Sequence, residues 1–103
     1  MAAEYAVGGA PARRPAHPGR ILRGILREGS IGVAPLARHL RVSRQTLYAL
    51  LDEERSVSVD MAARLSLAFG NSAKFWLNLQ ANHDAWDAER AAAKMAIGRF
   101  AVA

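Results

Sequence analysis

Residues 33–50, VAPLARHLRVSRQTLYAL, decide the fold of this 103-residue chain. Apolar and small residues recur there at helical spacing on both sides of a short break at 41–43. Two short helices joined by such a break can share one core only if they cross steeply, and the small Ala37 lets them approach. The pattern predicts a helix-turn-helix. Its inward-facing positions are Leu36, Ala37, Leu40, Val42, Leu47 and Leu50.

The second helix of this pair carries its leucines along one side. At about 100° per residue, Leu47, Leu50 and Leu51 fall within one third of the circumference. Gln45 and Tyr48 point the other way. Because the leucines anchor the helix to its scaffold, the polar groups of its first turn project outward. A helix presented in this way fits the major groove of DNA.

The polar side chains of this helix suit base edges and phosphates. Gln45 can bond bidentately to adenine, and Arg44 can bond to guanine or to a phosphate. Thr46 can contact a phosphate or a thymine methyl, and the Ser43 hydroxyl can cap the helix, bind a phosphate, or do both. The alternative is a helical hairpin with an exposed polar face. The predicted DNA-reading residues are Ser43, Arg44, Gln45, Thr46 and Tyr48, with Arg38, Arg41 and Arg55 on the phosphate backbone.

Charge favours the same kind of partner. The formal net charge is +5, and eight arginines lie within residues 13–44 against the single acid Glu28. The planar guanidinium pairs with phosphate better than the point charge of lysine does. The alternative is an arginine-rich surface that only contacts water. Charge alone favours nucleic acid over that alternative.

The rest of the chain predicts three further helices and an all-α fold. Pro18 suits the first position of a helix, and Gly29 would stop that helix. Ser58 and Ser72 would cap two later helices, and Gly70 would end the first of these. The predicted helices lie at 18–29, 33–40, 44–52, 59–69 and 73–97, and short strand pairing stays open only at 100–102.

Three stretches extend the pattern: HPGRIL (17–22), VSRQTL (42–47) and DMAARLSLAFGNSAKFWLNLQANHDAW (60–86). Together they resemble the HigA-type antitoxin branch of the XRE (phage-repressor-like) superfamily, most specifically in HPG and FWLNLQ. The resemblance implies a five-helix, lambda-repressor-like DNA-binding domain that dimerises. It also implies a RelE-like toxin partner, which cleaves mRNA and is neutralised, and autorepression at an operator inverted repeat. The alternatives are a stand-alone XRE regulator and a protein-interaction module without DNA binding.

The chain departs from the family pattern at two places. Arg41 stands where the turn normally has glycine, and a left-handed arginine costs about 1 kcal/mol. Residues 52–55 read Asp-Glu-Glu-Arg, where the family usually has Asn-Gly-Arg-Arg. The lost glycine removes an easy left-handed helix stop. Because three consecutive acids would repel DNA, no phosphate contact is expected at 52–54.

The predicted organisation has three parts: a flexible arm at 1–16, a DNA-binding domain with a dimerising last helix at 17–97, and a tail at 98–103. On the arm, Arg13 and Arg14 could enter the minor groove or fold onto a toxin. The tail is too apolar to stay free. Its neighbours Met95 and Ile97, with Phe100 and Val102, should meet a partner subunit or pack back.

Several functions are not expected. The chain has no cysteine, which excludes disulfides and thiolate metal sites and fits a reducing cytoplasm. No apolar run is long enough to span a membrane, and no catalytic or cofactor pattern is present, so we expect neither an enzyme nor a metal site. His83 and Asp87 favour a helical ion pair over metal binding. One stripe predicts core or dimer packing: Trp76, Leu79, His83 and Trp86.

Overall fold

The computed structural model describes residues 13–101, which form five helices joined by short connections. No strand is present between residues 13 and 101, so the all-α prediction is confirmed. Residues 1–12 of the predicted arm, and Val102 of the open strand pairing, lie outside the described residues. The helices are α1 (Pro18–Gly29), α2 (Val33–Leu40), α3 (Arg44–Leu51), α4 (Val59–Phe69) and α5 (Ala73–Ala93).

Serine caps begin the last three helices, as predicted. The hydroxyls of Ser43, Ser58 and Ser72 each accept a hydrogen bond of 3.0 Å from the backbone N–H three residues later. Each bond satisfies a donor that a helix N-terminus otherwise leaves without a partner. α4 ends at Phe69, and Gly70 follows it with a φ of 70°, the left-handed conformation predicted for this glycine.

The HPG stretch fixes where α1 begins. The Nδ1 atom of His17 accepts a 2.9 Å hydrogen bond from the Gly19 N–H, and Pro18 occupies the first turn. Gly19 lies against the last turn of α3, where an added Cβ would be 2.9 Å from the Leu50 carbonyl carbon and would overlap its oxygen. Only glycine therefore lets α1 approach α3 so closely.

The FWLNLQ stretch joins α5 to the core. Trp76 is fully buried, its ring packs against Phe69 of α4, and its Nε1–H donates to Asn71 Oδ1 at 2.8 Å. The buried Gln80 accepts from the Val57 N–H at 2.7 Å and donates to Asp84 at 2.9 Å. Gln80 therefore ties the connection before α4 to α5.

Two helix ends differ from the prediction. α1 ends at Gly29 as predicted, and Ser30 takes the left-handed position after it, with φ 52°. α3 ends at Leu51 rather than at 52, and α5 ends at Ala93 rather than at 97. None of residues 84–93 is buried. Alanine's helix propensity supports this exposed end of α5, as does the Arg90 guanidinium 5.5 Å from the centre of the Trp86 ring, but neither carries the helix further.

Between the end of α5 and residue 101, the large apolar side chains do not pack back onto the domain. Met95, Ile97 and Phe100 are 57%, 80% and 84% exposed. Of the two outcomes predicted for them, contact with a partner subunit remains a prediction.

Candidate nucleic-acid interface

The turn between α2 and α3 places Arg41 in the strained conformation expected from its position. Its φ and ψ are 61° and 43°. Two backbone hydrogen bonds close the turn, from Arg41 N–H to the Arg38 carbonyl at 3.1 Å and from Val42 N–H to the Ala37 carbonyl at 3.0 Å. These bonds satisfy carbonyls that the end of α2 would otherwise leave free, which offsets part of the strain.

The leucines of α3 are buried, as predicted. Leu47, Leu50 and Leu51 lie in the core with residues from the other helices. Packing against α1 and α2 holds α3 in place. Its leading end stays accessible, because Arg44 and Gln45 are both exposed. The structure thus places the first turn where a groove could receive it.

Ser43 and Thr46 form a small hydroxyl network at this leading end. The Ser43 hydroxyl accepts from the Thr46 N–H and donates to the Thr46 Oγ1 at 2.8 Å. The single hydroxyl proton of Ser43 is therefore already bonded to Thr46 and is not available to a phosphate. Within the described residues, the Thr46 O–H is bonded to no acceptor, which leaves it able to donate to a phosphate. Tyr48, on the same helix, is 49% exposed.

The predicted backbone-binding arginines are exposed but do not form one cluster. Arg38 and Arg44 line a cleft of about 380 Å³ that also includes Val42. Arg55 lines a smaller cavity, of about 90 Å³, together with Thr46. Between residues 13 and 101, no carboxylate lies within 4.0 Å of these three guanidinium groups. Their charge is therefore available to an outside anion.

Arg41 lies apart from these arginines, beside α4. It lines a separate cleft of about 350 Å³ with His39 and Arg64. Arg64 donates to the Leu40 carbonyl and to the Asp60 carboxylate, each at 2.7 Å. Arg64 was not singled out from the sequence, yet it fixes the end of α2 to α4. Its spacing of four residues from Asp60 was the available signal.

Two of the eight arginines in residues 13–44 bind other groups of the same chain. Arg23 donates to Asp52 at 2.7 Å and to the Leu51 carbonyl at 3.3 Å, so it caps the end of α3. Arg14 pairs with Asp87 on α5 at 2.6 Å. The count of eight arginines therefore overstates the charge that this region offers to DNA.

The acidic segment after α3 is partly neutralised. Asp52 is paired with Arg23, whereas Glu53 and Glu54 are exposed. Glu53 has a φ of 62°, so a glutamate takes the left-handed position that glycine would fill more easily. Because α3 has eight residues, these acids lie about 12 Å from its leading end. These acids therefore lie at the opposite end of α3 from Gln45.

Other kinds of site have little support in the described part of the chain. No group of three or more His, Asp or Glu side chains within residues 13–101 could hold a metal ion. Among the helices described, none is both long and apolar enough to cross a bilayer. The ion pair predicted between His83 and Asp87 is wrong, because both side chains bind Arg14 instead.

The chain resembles known DNA-binding proteins over most of its length. No protein-family model matches it. It is 38% identical over 78 residues to the uncharacterized HTH-type transcriptional regulator YbaQ of Escherichia coli K12, covering 75% of this chain and 69% of that protein.

Two solved structures from Pseudomonas aeruginosa are also similar. PA4674, in complex with its operator DNA, is 46% identical, with a TM-score of 0.74 over 79% of this chain and 90% of that one. The antitoxin HigA, with the higBA promoter, is 43% identical, with a TM-score of 0.73 over 82% of this chain and 97% of that one. Both alignments extend well beyond the helix-turn-helix pair.

Proposed function

The chain belongs to the HigA-type antitoxins of the XRE helix-turn-helix superfamily, and we propose that it is the antitoxin and autorepressor of a toxin–antitoxin pair. It binds an operator inverted repeat as a homodimer in the cytoplasm. It neutralises a RelE-like toxin that cleaves mRNA. Its own chemistry is binding rather than catalysis, and it needs no cofactor.

One observation carries the DNA-binding part of this proposal. The first turn of α3 exposes Arg44 and Gln45 while Leu47 and the following leucines are buried in the core. A helix held from behind in this way can enter the major groove without losing its own packing. Gln45 reads a base edge, Arg44 a guanine or a phosphate, and the Thr46 hydroxyl donates to a phosphate.

The backbone contacts follow from the exposed arginines. Arg38, Arg41, Arg44 and Arg55 release counterions when they meet phosphates, so affinity falls with salt. Ser43 mainly caps α3, and Tyr48 lies on its exposed side. In a homodimer, two such helices are spaced by about 34 Å, one turn of DNA.

Binding to the chain's own promoter fragment tests the docking, with fluorescence anisotropy measured across a salt series. Gln45→Ala should cost about 1–3 kcal/mol on the operator and little on random DNA, because only a base contact is lost. Arg41→Ala should weaken binding to all sequences and lower the salt slope by about one. Arg90→Ala, which removes the same charge from the far part of α5, should change neither quantity. Unaltered operator binding in both Gln45→Ala and Arg41→Ala would rule out this docking.

The antitoxin part is supported by the family and by the similarity to HigA. Sequencing the flanking genes should identify a small basic toxin, and a cell-free translation reaction that this toxin stops should proceed when the chain is added together with the toxin. The second candidate is a stand-alone transcriptional regulator, favoured by the similarity to YbaQ. Operator binding with no adjacent toxin gene would favour this second candidate.

A further inference from the structure

We propose that His17 and His83 form a proton-operated clasp, which holds residues 13–17 against α5 at neutral pH and releases them in mild acid. None of the residues of the clasp belongs to α2 or α3, the helices that carry most of the proposed DNA contacts. It determines whether Arg14 is bound to the domain or free to interact elsewhere.

The clasp closes through one side chain of α5 that is bonded on both sides. Arg14 Nη2 lies 3.1 Å from His83 Nε2, and the Pro15 carbonyl oxygen lies 2.9 Å from His83 Nδ1. Arg14 also donates to the Asp87 carboxylate. His83 therefore joins Arg14 and Pro15, which lie 69 and 68 residues away in sequence, to the middle of α5.

These partners determine the protonation state of His83. A carbonyl oxygen can only accept, so Nδ1 must carry the proton. A guanidinium can only donate, so Nε2 must offer a lone pair. Neutral His83 with the proton on Nδ1 satisfies both partners. A second proton, on Nε2, would face the N–H donor of Arg14 and would place a positive imidazolium beside the guanidinium. The hydrogen bond between His83 and Arg14 would therefore break.

His17 has the same requirement. It is only 4% exposed, and its Nδ1 accepts the Gly19 N–H that caps α1. A protonated His17 could not accept this bond and would place a positive charge at the positive end of a helix. The two imidazole rings lie edge to face, with centroids 5.0 Å apart, so protonation of both would also bring like charges together.

The surrounding charges do not reverse this preference. Burial lowers the pKa of His17, and the neighbouring His83 lowers it further, whereas Glu53, the Arg55 backbone and Asp84 raise it by less. Asp84 is already bonded to Gln80, and Asp87 to Arg14. The Arg14–Asp87 pair is about half exposed, and such pairs hold little by themselves. The histidines therefore control the clasp.

NMR on the full chain tests the clasp without any partner. At about pH 7.5, ring nitrogen shifts should report a proton on Nδ1 of His83 and a lone pair on Nδ1 of His17. The amides of Arg14 and Ala16 should then have heteronuclear NOE values close to those of α1. When ring nitrogen shifts report that acid has protonated both imidazoles, these values should fall to those of a free chain end, while the amides of α4 stay unchanged. Arg14 and Ala16 amides that remain ordered after both rings are protonated would overturn the proposal.

Variants separate the clasp from general acid effects. In the double variant His17→Asn/His83→Gln, asparagine still caps α1, and glutamine offers one donor and one acceptor without titrating. This variant should stay closed at the acid pH that opens the unmodified chain. Its matched control, His39→Gln at an exposed histidine, should open as the unmodified chain does. Opening of the double variant, or failure of the control to open, would contradict the proposal.

A further variant does not depend on substitutions in the core. Arg14→Gln changes a half-exposed side chain and should leave all five helices folded. The Arg14→Gln amide should then be mobile already at about pH 7.5, because the guanidinium contacts with His83 and Asp87 are lost, whereas the Pro15 carbonyl keeps its bond to His83. An amide at position 14 that stays as ordered as α1 would mean that the Arg14 side chain does not hold the segment, and the proposal would fail.

Discussion

Gly19 lies where the first turn of α1 meets the last turn of α3, and the Leu50 carbonyl occupies the space that a side chain would need. Gly24 lies in the same helix, but the nearest atom to its missing Cβ is a flexible Arg27 nitrogen at 4.0 Å. The two glycines therefore differ in packing while sharing the same helical conformation. This makes them a matched pair for measuring the α1–α3 contact.

Gly19→Ala should lower the free energy of unfolding by about 1–3 kcal/mol, because the added methyl overlaps a backbone carbonyl that cannot move without shifting α3. Gly24→Ala should raise it by about 0.5–1 kcal/mol, since alanine loses less backbone entropy in a helix. Urea unfolding monitored by circular dichroism measures both. Equal effects of the two substitutions would show that α1 and α3 do not approach as described.

Glu53 combines a strained backbone with an unfavourable charge. Glu53→Gly should raise the free energy of unfolding by about 1 kcal/mol by relieving the left-handed strain. Glu53→Gln keeps the strain and removes only the charge, so it should leave stability nearly unchanged. Both variants should tighten DNA binding at low salt, where the repulsion is least screened. Stability that is the same in the glycine and glutamine variants would contradict the strain argument.

At the scale of the helices, local signals predicted starts better than ends. Serine hydroxyls determined the first residues of α3, α4 and α5, because capping depends on neighbours only three residues away. The end of α5 was missed, since none of residues 84–93 is in the core and no glycine or asparagine follows Ala93 to mark the end of the helix. The leucine side of α3 followed from helical periodicity. The role of Arg23 could not be predicted from helical periodicity, because its partner Asp52 is 29 residues away in sequence.

The exposed tail gives a prediction at this scale. A chain ending at Lys94 lacks Met95, Ile97 and Phe100, none of which is buried against the domain. Its urea midpoint, measured at a concentration where the chain is monomeric, should match that of the full chain. Its dimer dissociation constant, measured by analytical ultracentrifugation, should rise at least tenfold if these residues supply about 1.4 kcal/mol of contact. An unchanged dissociation constant would exclude the tail from the dimer.

At the scale of the whole molecule, the acid response depends on His17. Its pKa is lowered by burial and then by His83, so between the folded and unfolded values the unfolded chain binds more protons. The free energy of unfolding should therefore be highest above about pH 6.5 and fall as the pH drops through the lowered folded value. In His17→Asn this part of the slope should be absent. Urea titrations at several pH values measure it, and an identical slope in the variant would exclude His17 as a source.

The arginines that hold the helix-turn-helix have a consequence for the operator. Arg23 binds the end of α3 to α1, and Arg64 binds the end of α2 to α4. We therefore expect α3 to move with the rest of the domain as one rigid body. In the proposed dimer, the two copies of α3 then have a fixed relative orientation, and the two operator half-sites must match it. One extra central base pair turns one half-site by about 35° relative to the other. An operator lengthened in this way should lose most of its affinity, although every contacted base is retained.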